Sequence, residues 1–216
     1  MAQKVNLLEI ELAHRIDTDA WIQSGAPNTN AWYITHAEGE PSKVEEVSSV
    51  GIYTEKGSIA LCHGTAKTWY WDSANNRLYI HTSGSNDPAN YIVLSYFWEY
   101  HTDKQFSGNE EIVFNDHFYF PDIGGSIPDI TQKVTSFLLG SYSMDFGGLT
   151  ITNADGKYDS RLTNYIYEAK KAIFKQGDLG DVYGSYVDFW RGWTGKVALN
   201  DNQLEINTED LRASVE

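Results

Sequence analysis

The sequence predicts an all-β protein: two small β-sandwich or barrel-like domains with at most one short helix. Three observations carry this. Aromatic residues are abundant, with 7 Trp, 14 Tyr and 9 Phe beside 18 Gly and only 2 Met, a mixture that suits strands and tight turns better than helices. Short apolar segments alternate with polar residues and are separated by clusters of Gly, Asn, Asp, Ser and Pro. One pair of segments carries the signature of a β-hairpin.

Residues 5–12 open the chain as a strand, with Leu8, Ile10 and Leu12 on one face. Residues 24–30 form a loop, and residues 31–35 (Ala-Trp-Tyr-Ile-Thr) a second strand. Residues 38–46 are polar and expected at the surface; strand character resumes at 49–53. The hairpin follows. Residues 68–72 (Thr-Trp-Tyr-Trp-Asp) and 77–81 (Arg-Leu-Tyr-Ile-His) flank Ser73-Ala74-Asn75-Asn76, and Asn tolerates the positive φ that a tight turn requires. Residues 91–98 are almost continuously apolar, as in a strand buried on both faces.

Polarity rises over residues 99–111, with Gly108 inside the stretch. This places an N-terminal β domain at 1–108 and a C-terminal β domain at 109–216. The second half contains an aromatic segment at 112–120 and strands at 131–139, 149–152, 185–199 and 204–206. Residues 153–156 are a turn. Residues 161–174 fit two descriptions. Leu162, Tyr165, Ile166, Ala169, Ala172 and Ile173 have helical spacing, with Gly177 as a stop. A short helical turn followed by a strand at 172–174 fits as well.

Charge and cysteine content narrow the function. Sixteen Lys and Arg against thirty Asp and Glu give a net charge of −14. Such a surface repels phosphate backbones and anionic lipid, so neither nucleic acid nor membrane is an expected partner. No run reaches the ~18 apolar residues of a membrane span. Cys62 is the one cysteine, which excludes an intramolecular disulfide framework. With no signal-peptide core at the start, synthesis in a reducing compartment is expected.

Catalytic patterns are absent. The six histidines (His14, His36, His63, His81, His101 and His117) show no zincin spacing, and no nucleophile elbow, phosphate loop or dinucleotide fingerprint occurs. Cys62 and His63 are adjacent, but neighbours on a strand point to opposite faces. Glu45-Glu46 and Glu110-Glu111 are the paired carboxylates that a glycosidase would need; both lie in polar, loop-like context. Asn153, Asp155 and Asp159 around Gly156 resemble part of a calcium loop, but the first acidic ligand and the closing Glu are missing. A structural turn is the better reading, in which side chains bond local amides and Gly156 takes a positive φ. No cofactor, metal or catalytic residue is therefore expected. Trp69 and Trp71, two apart on one strand, share a face. Exposed, they would stack sugar rings or contact a partner; buried, they are core. Trp190 and Trp193 pose the same choice, beside glycines that suggest a tightly packed bulge.

The order of motifs in the second half is similar to that of tail-tip and baseplate-hub proteins of tailed bacteriophages. Phe114-Asn115-Asp116-His117-Phe118-Tyr119-Phe120-Pro121 leads to Ser126-Ile127-Pro128-Asp129-Ile130. A Gly147-Gly148-Leu149-Thr150-Ile151-Thr152-Asn153-Ala154-Asp155-Gly156-Lys157-Tyr158-Asp159 stretch follows, then Phe189-Trp190-Arg191-Gly192-Trp193-Thr194-Gly195-Lys196-Val197. The resemblance spans residues 50–200 and is sharpest from 114 to 159. It implies a non-catalytic virion protein, assembled in the host cytoplasm with other tail proteins as a trimer or hexamer. The alternative is a carbohydrate- or receptor-binding module of the tail. Chains of this kind are commonly longer.

Overall fold

A computed structural model describes residues 4–17, 19–47, 51–103, 112–114, 117–124, 131–136, 141–145, 147–200 and 202–210. The boundary expected at residue 108 and the Glu110-Glu111 pair lie outside them. The chain is all-β, with two α-helices of five and four residues among the described residues. In chain order the elements are β1 (Lys4–Arg15), β2 (Ile22–Gln23), β3 (Trp32–Thr35), β4 (Lys43–Glu46), β5 (Gly51–Ile52), β6 (Thr54–Glu55), α1 (Ile59–His63), β7 (Thr68–Asp72), β8 (Arg77–His81) and β9 (Val93–Thr102). Then come β10 (Ile112–Phe114), β11 (His117–Tyr119), β12 (Ile123–Gly124), β13 (Thr131–Ser136), β14 (Ser141–Asp145), β15 (Leu149–Thr152), α2 (Arg161–Asn164), β16 (Tyr165–Ile166), β17 (Lys171–Asp178), β18 (Val187–Asn200) and β19 (Gln203–Asp210).

Two compact units emerge. One comprises residues 13–97; the other comprises residues 1–12 with 98–216. This differs from a division into consecutive halves at residue 108, and strand pairing gives the reason. Lys4 to Ile10 of β1 pair antiparallel with Asp178 to Ala172 of β17, so the first strand belongs with the end of the chain.

In the unit of residues 13–97, a five-stranded sheet has the order β2-β3-β8-β7-β6. Its centre is the hairpin expected from sequence: Thr68 faces His81 and Asp72 faces Arg77. Asn76 takes φ 49° in the turn, a conformation that its short polar side chain tolerates. The core gathers Ile16, Ile34, Val44, Tyr53, Trp69, Leu78, Ile80 and Val93. Strand β4 corrects the expectation of a surface segment at 38–46. It pairs with β9, and Val44 and Glu46 are buried. Burying the Glu46 carboxylate is tolerable because Tyr53 Oη and Ser83 Oγ donate to it.

The second unit has the strand order β12-β15-β19-β18-β17-β1, all antiparallel, besides the hairpins β10-β11 and β13-β14. Leu149 and Ile151 of β15 turn inward, as their alternation predicts. Residues 161–174 adopt the second of their two descriptions: α2 is a single turn, and a strand begins at Lys171. The polar side of β1 is buried too. Glu9 accepts hydrogen bonds of 2.7 Å from both Tyr119 Oη and Tyr183 Oη, and Asn6 bonds to Asp103 and Gln176.

Candidate functional site

The two tryptophans of the hairpin form no open platform. Trp69 is 3% exposed inside the core, and Trp71, half-buried, packs against the same cluster. Hydrophobic burial has claimed the face they share.

The segment from Asn153 to Asp159 closes on itself. Asn153 Oδ1 accepts from the Tyr158 amide, and Asn153 Nδ2 donates to Asp159 Oδ1, each at 2.8 Å. Asp155 Oδ1 accepts from the Lys157 amide, and Gly156 has φ 70°. These side-chain oxygens serve local donors. Among the described residues no group of three metal-ligating side chains occurs.

The turn delivers Tyr158 to a polar network unforeseen from the sequence. His101 is fully buried, with Nδ1 2.8 Å from Asp122 Oδ1. Tyr158 Oη donates to Asp122 Oδ2 at 2.7 Å. Burial pushes the Asp122 carboxyl up, but His101 and Tyr158 outweigh it and hold the group below the usual carboxylate range. An ionised carboxylate only accepts, so His101 Nδ1 is the donor in this pair. On its other side, Nε2 lies 3.4 Å from Glu99 Oε2. Glu99 also takes Arg161 on Oε1 and the Tyr167 hydroxyl on Oε2. Burial and Asp122 raise the Tyr158 phenol, which makes it a poor nucleophile at neutral pH. The arrangement pins β9 to the segments holding Asp122 and Arg161. A signal was present in the sequence: Glu99 and His101 are two apart on one strand, hence on one face.

Other histidines are also engaged inside. His36 Nε2 meets Ser95 Oγ at 2.9 Å, both buried. Burial, with the nearby His14, drives the His36 imidazole down to about 4, so it is neutral at pH 7. His81 Nδ1 donates to the Cys62 carbonyl, leaving Nε2 to accept from Ser85. Cys62 and His63 lie on α1, not on a strand as expected, because Ser58 caps the helix by accepting from the Leu61 amide. Burial pushes the Cys62 thiol up to about 11, and His63 Nδ1 accepts from the Asn30 amide. They form no thiolate–imidazole pair. Glu45 and Glu46 alternate on β4, with only Glu46 buried, so they do not face each other.

A cleft of about 710 Å³ is lined by Glu168, Ala169, Trp193, Thr194, Gly195, Lys196 and Glu209. The neighbouring Trp190 is core, whereas Trp193 is half-buried at the cleft wall. The bulge suggested by the glycines is there: the register of β18 against β19 shifts between Thr194 and Val197. Comparisons with family models, curated proteins and solved structures find no match for this chain.

Proposed function

We propose that the chain is a structural component of a bacteriophage tail tip or baseplate. It would assemble as a trimer or hexamer into a symmetric ring or hub with other tail proteins, in the host cytoplasm. Its motif order supports this reading, and so does its acidic β framework. The observation that carries it furthest is the connection between β17 and β18. Leu179 and Val182 in that connection, and Val187 at the start of β18, are 45%, 75% and 66% exposed, in a chain of net charge −14. Large apolar side chains exposed within nine residues of sequence favour a surface covered on assembly.

Light scattering on the purified chain tests the reading. The native protein is expected as a defined oligomer, and the variant Leu179→Ser/Val182→Ser/Val187→Ser as a monomer with unchanged melting. A chain that stays monomeric at high concentration, and is absent from tail particles by immunolabelling, would overturn it. A second reading, a carbohydrate- or receptor-binding module of the tail, is favoured by the cleft at Trp193.

A further inference from the structure

We propose that the cleft around Trp193 binds a neutral saccharide. The inference deepens the carbohydrate-binding reading and stands independently of the tail assignment, because it is tested on the isolated chain.

The cleft is a built feature of the fold. Trp193 of β18 faces Glu209 of β19 across the ladder, and directly paired residues share a face. The bulge after Thr194 then interrupts the ladder between the two strands, a device that re-aims side chains. Gly195 leaves room for the Glu209 side chain: a Cβ there would sit 3.1 Å from Glu209 Oε1. The far rim is the turn carrying Glu168 and Ala169. Ala169 has φ 54°, which costs on the order of 1 kcal/mol for a residue with a Cβ. Thr194 holds that strain in place. Its backbone carbonyl accepts from the Ala169 amide at 2.8 Å, its amide donates to the Lys170 carbonyl at 2.8 Å, and its hydroxyl donates to the Tyr167 carbonyl. A strained turn pinned by a buried threonine sets Glu168 at the edge of the cleft.

The lining chemistry selects the ligand. The volume falls in the range of small-molecule sites, roughly 300–1,000 Å³. Glu168 and Glu209 are acceptors only; Lys196 is a donor only. An anionic ligand meets two carboxylates; an alkylammonium, which those carboxylates and the indole would attract, meets the charge of Lys196. Hydroxyl groups both donate and accept, so a polyol satisfies both signs without bringing charge. The indole adds an apolar wall against which a sugar ring can pack its C–H face.

The test is intrinsic tryptophan fluorescence and ligand-observed NMR. The probes are a panel of neutral saccharides (glucose, galactose, mannose, N-acetylglucosamine and their β-linked dimers), with tetramethylammonium and glucuronate as charged comparators. At least one neutral saccharide is expected to bind saturably in the millimolar range or below. Trp193→Ala should weaken that binding at least tenfold, and Glu209→Gln several-fold, while Trp71→Phe leaves it unchanged. Thermal melting checks that each variant is folded; Trp193→Phe serves if the alanine variant is not. No saturation by any neutral member, preferential binding of either charged comparator, or full affinity in folded Trp193→Ala overturns the proposal.

Discussion

Asp122 divides its carboxylate between His101 Nδ1, 2.8 Å from one oxygen, and Tyr158 Oη, 2.7 Å from the other. Truncation at Asp122 would strand both partners inside the protein. Asp122→Ala is expected to lower stability by about 3–5 kcal/mol, the cost of leaving a buried polar pair half made. Asp122→Asn keeps the shape and one acceptor, so it should cost less. Urea denaturation midpoints compare the two. The native Asp122 carboxyl is held below its ordinary value. Its contribution is therefore present above the unfolded carboxylate range and is lost as pH falls through the lowered native value.

Gly156→Val should destabilise the turn at 153–159. Gly156 sits at φ 70°, where a β-branched residue is strained, and a Cβ there would come within 3.2 Å of Asp159 Oδ2. A loss of about 1–3 kcal/mol is expected, read as a fall in melting temperature. Unchanged melting would show that the turn tolerates a different backbone.

His36 makes stability depend on pH in the opposite sense from a histidine whose value a carboxylate partner raises. Its imidazole falls from 6.5 unfolded to about 4 folded. Between those values the unfolded chain binds the extra proton, so stability rises with pH across the window. It is fully present above pH 6.5 and lost on acidification toward pH 4. The fall from 6.5 to about 4 corresponds to on the order of 3 kcal/mol. His14, Asp19 and Glu38 lie in the same neighbourhood. NMR titration of the His36 ring should show no protonation at pH 6, and chemical denaturation at pH 7 and pH 5 should differ in midpoint.

Gly192→Ala should be poorly tolerated for a different reason. A Cβ at Gly192 would lie 2.3 Å from both the Glu209 carbonyl oxygen and the Trp190 ring. Backbone on one side and a buried indole on the other leave little room to yield, so a loss of about 3 kcal/mol or more is expected. Soluble yield and denaturant midpoint measure it; a native-like midpoint would mean that β18 and β19 can part.

Local pattern made the framework readable. The hairpin of β7 and β8 announced itself through bulky residues around Asn75 and Asn76, and β15 through the alternation of Leu149 and Ile151. What sequence spacing does not carry is which distant polar groups will be enclosed together. Glu46 looked like surface because its neighbours are charged; pairing of β4 with β9 buried it. His101 looked idle because Asp122 and Tyr158 reach it only through the fold. Trp69 and Trp193 were indistinguishable by composition. The first lies in a sheet covered by its own core, and the second beside a bulge that leaves its ring half open.

The pairing of Lys4–Ile10 with β17 also sets an order of events during synthesis. Residues 13–97 form one uninterrupted stretch and can collapse while the ribosome is still translating the remainder. The pairing of Lys4–Ile10 must wait until β17 itself has been translated, some 170 positions downstream by the Gln176–Asn6 contact. During that interval Val5 and Leu7 lack the cover that Tyr119 and Tyr186 give them in the finished fold, and chaperone dependence of expression should track the length of that delay.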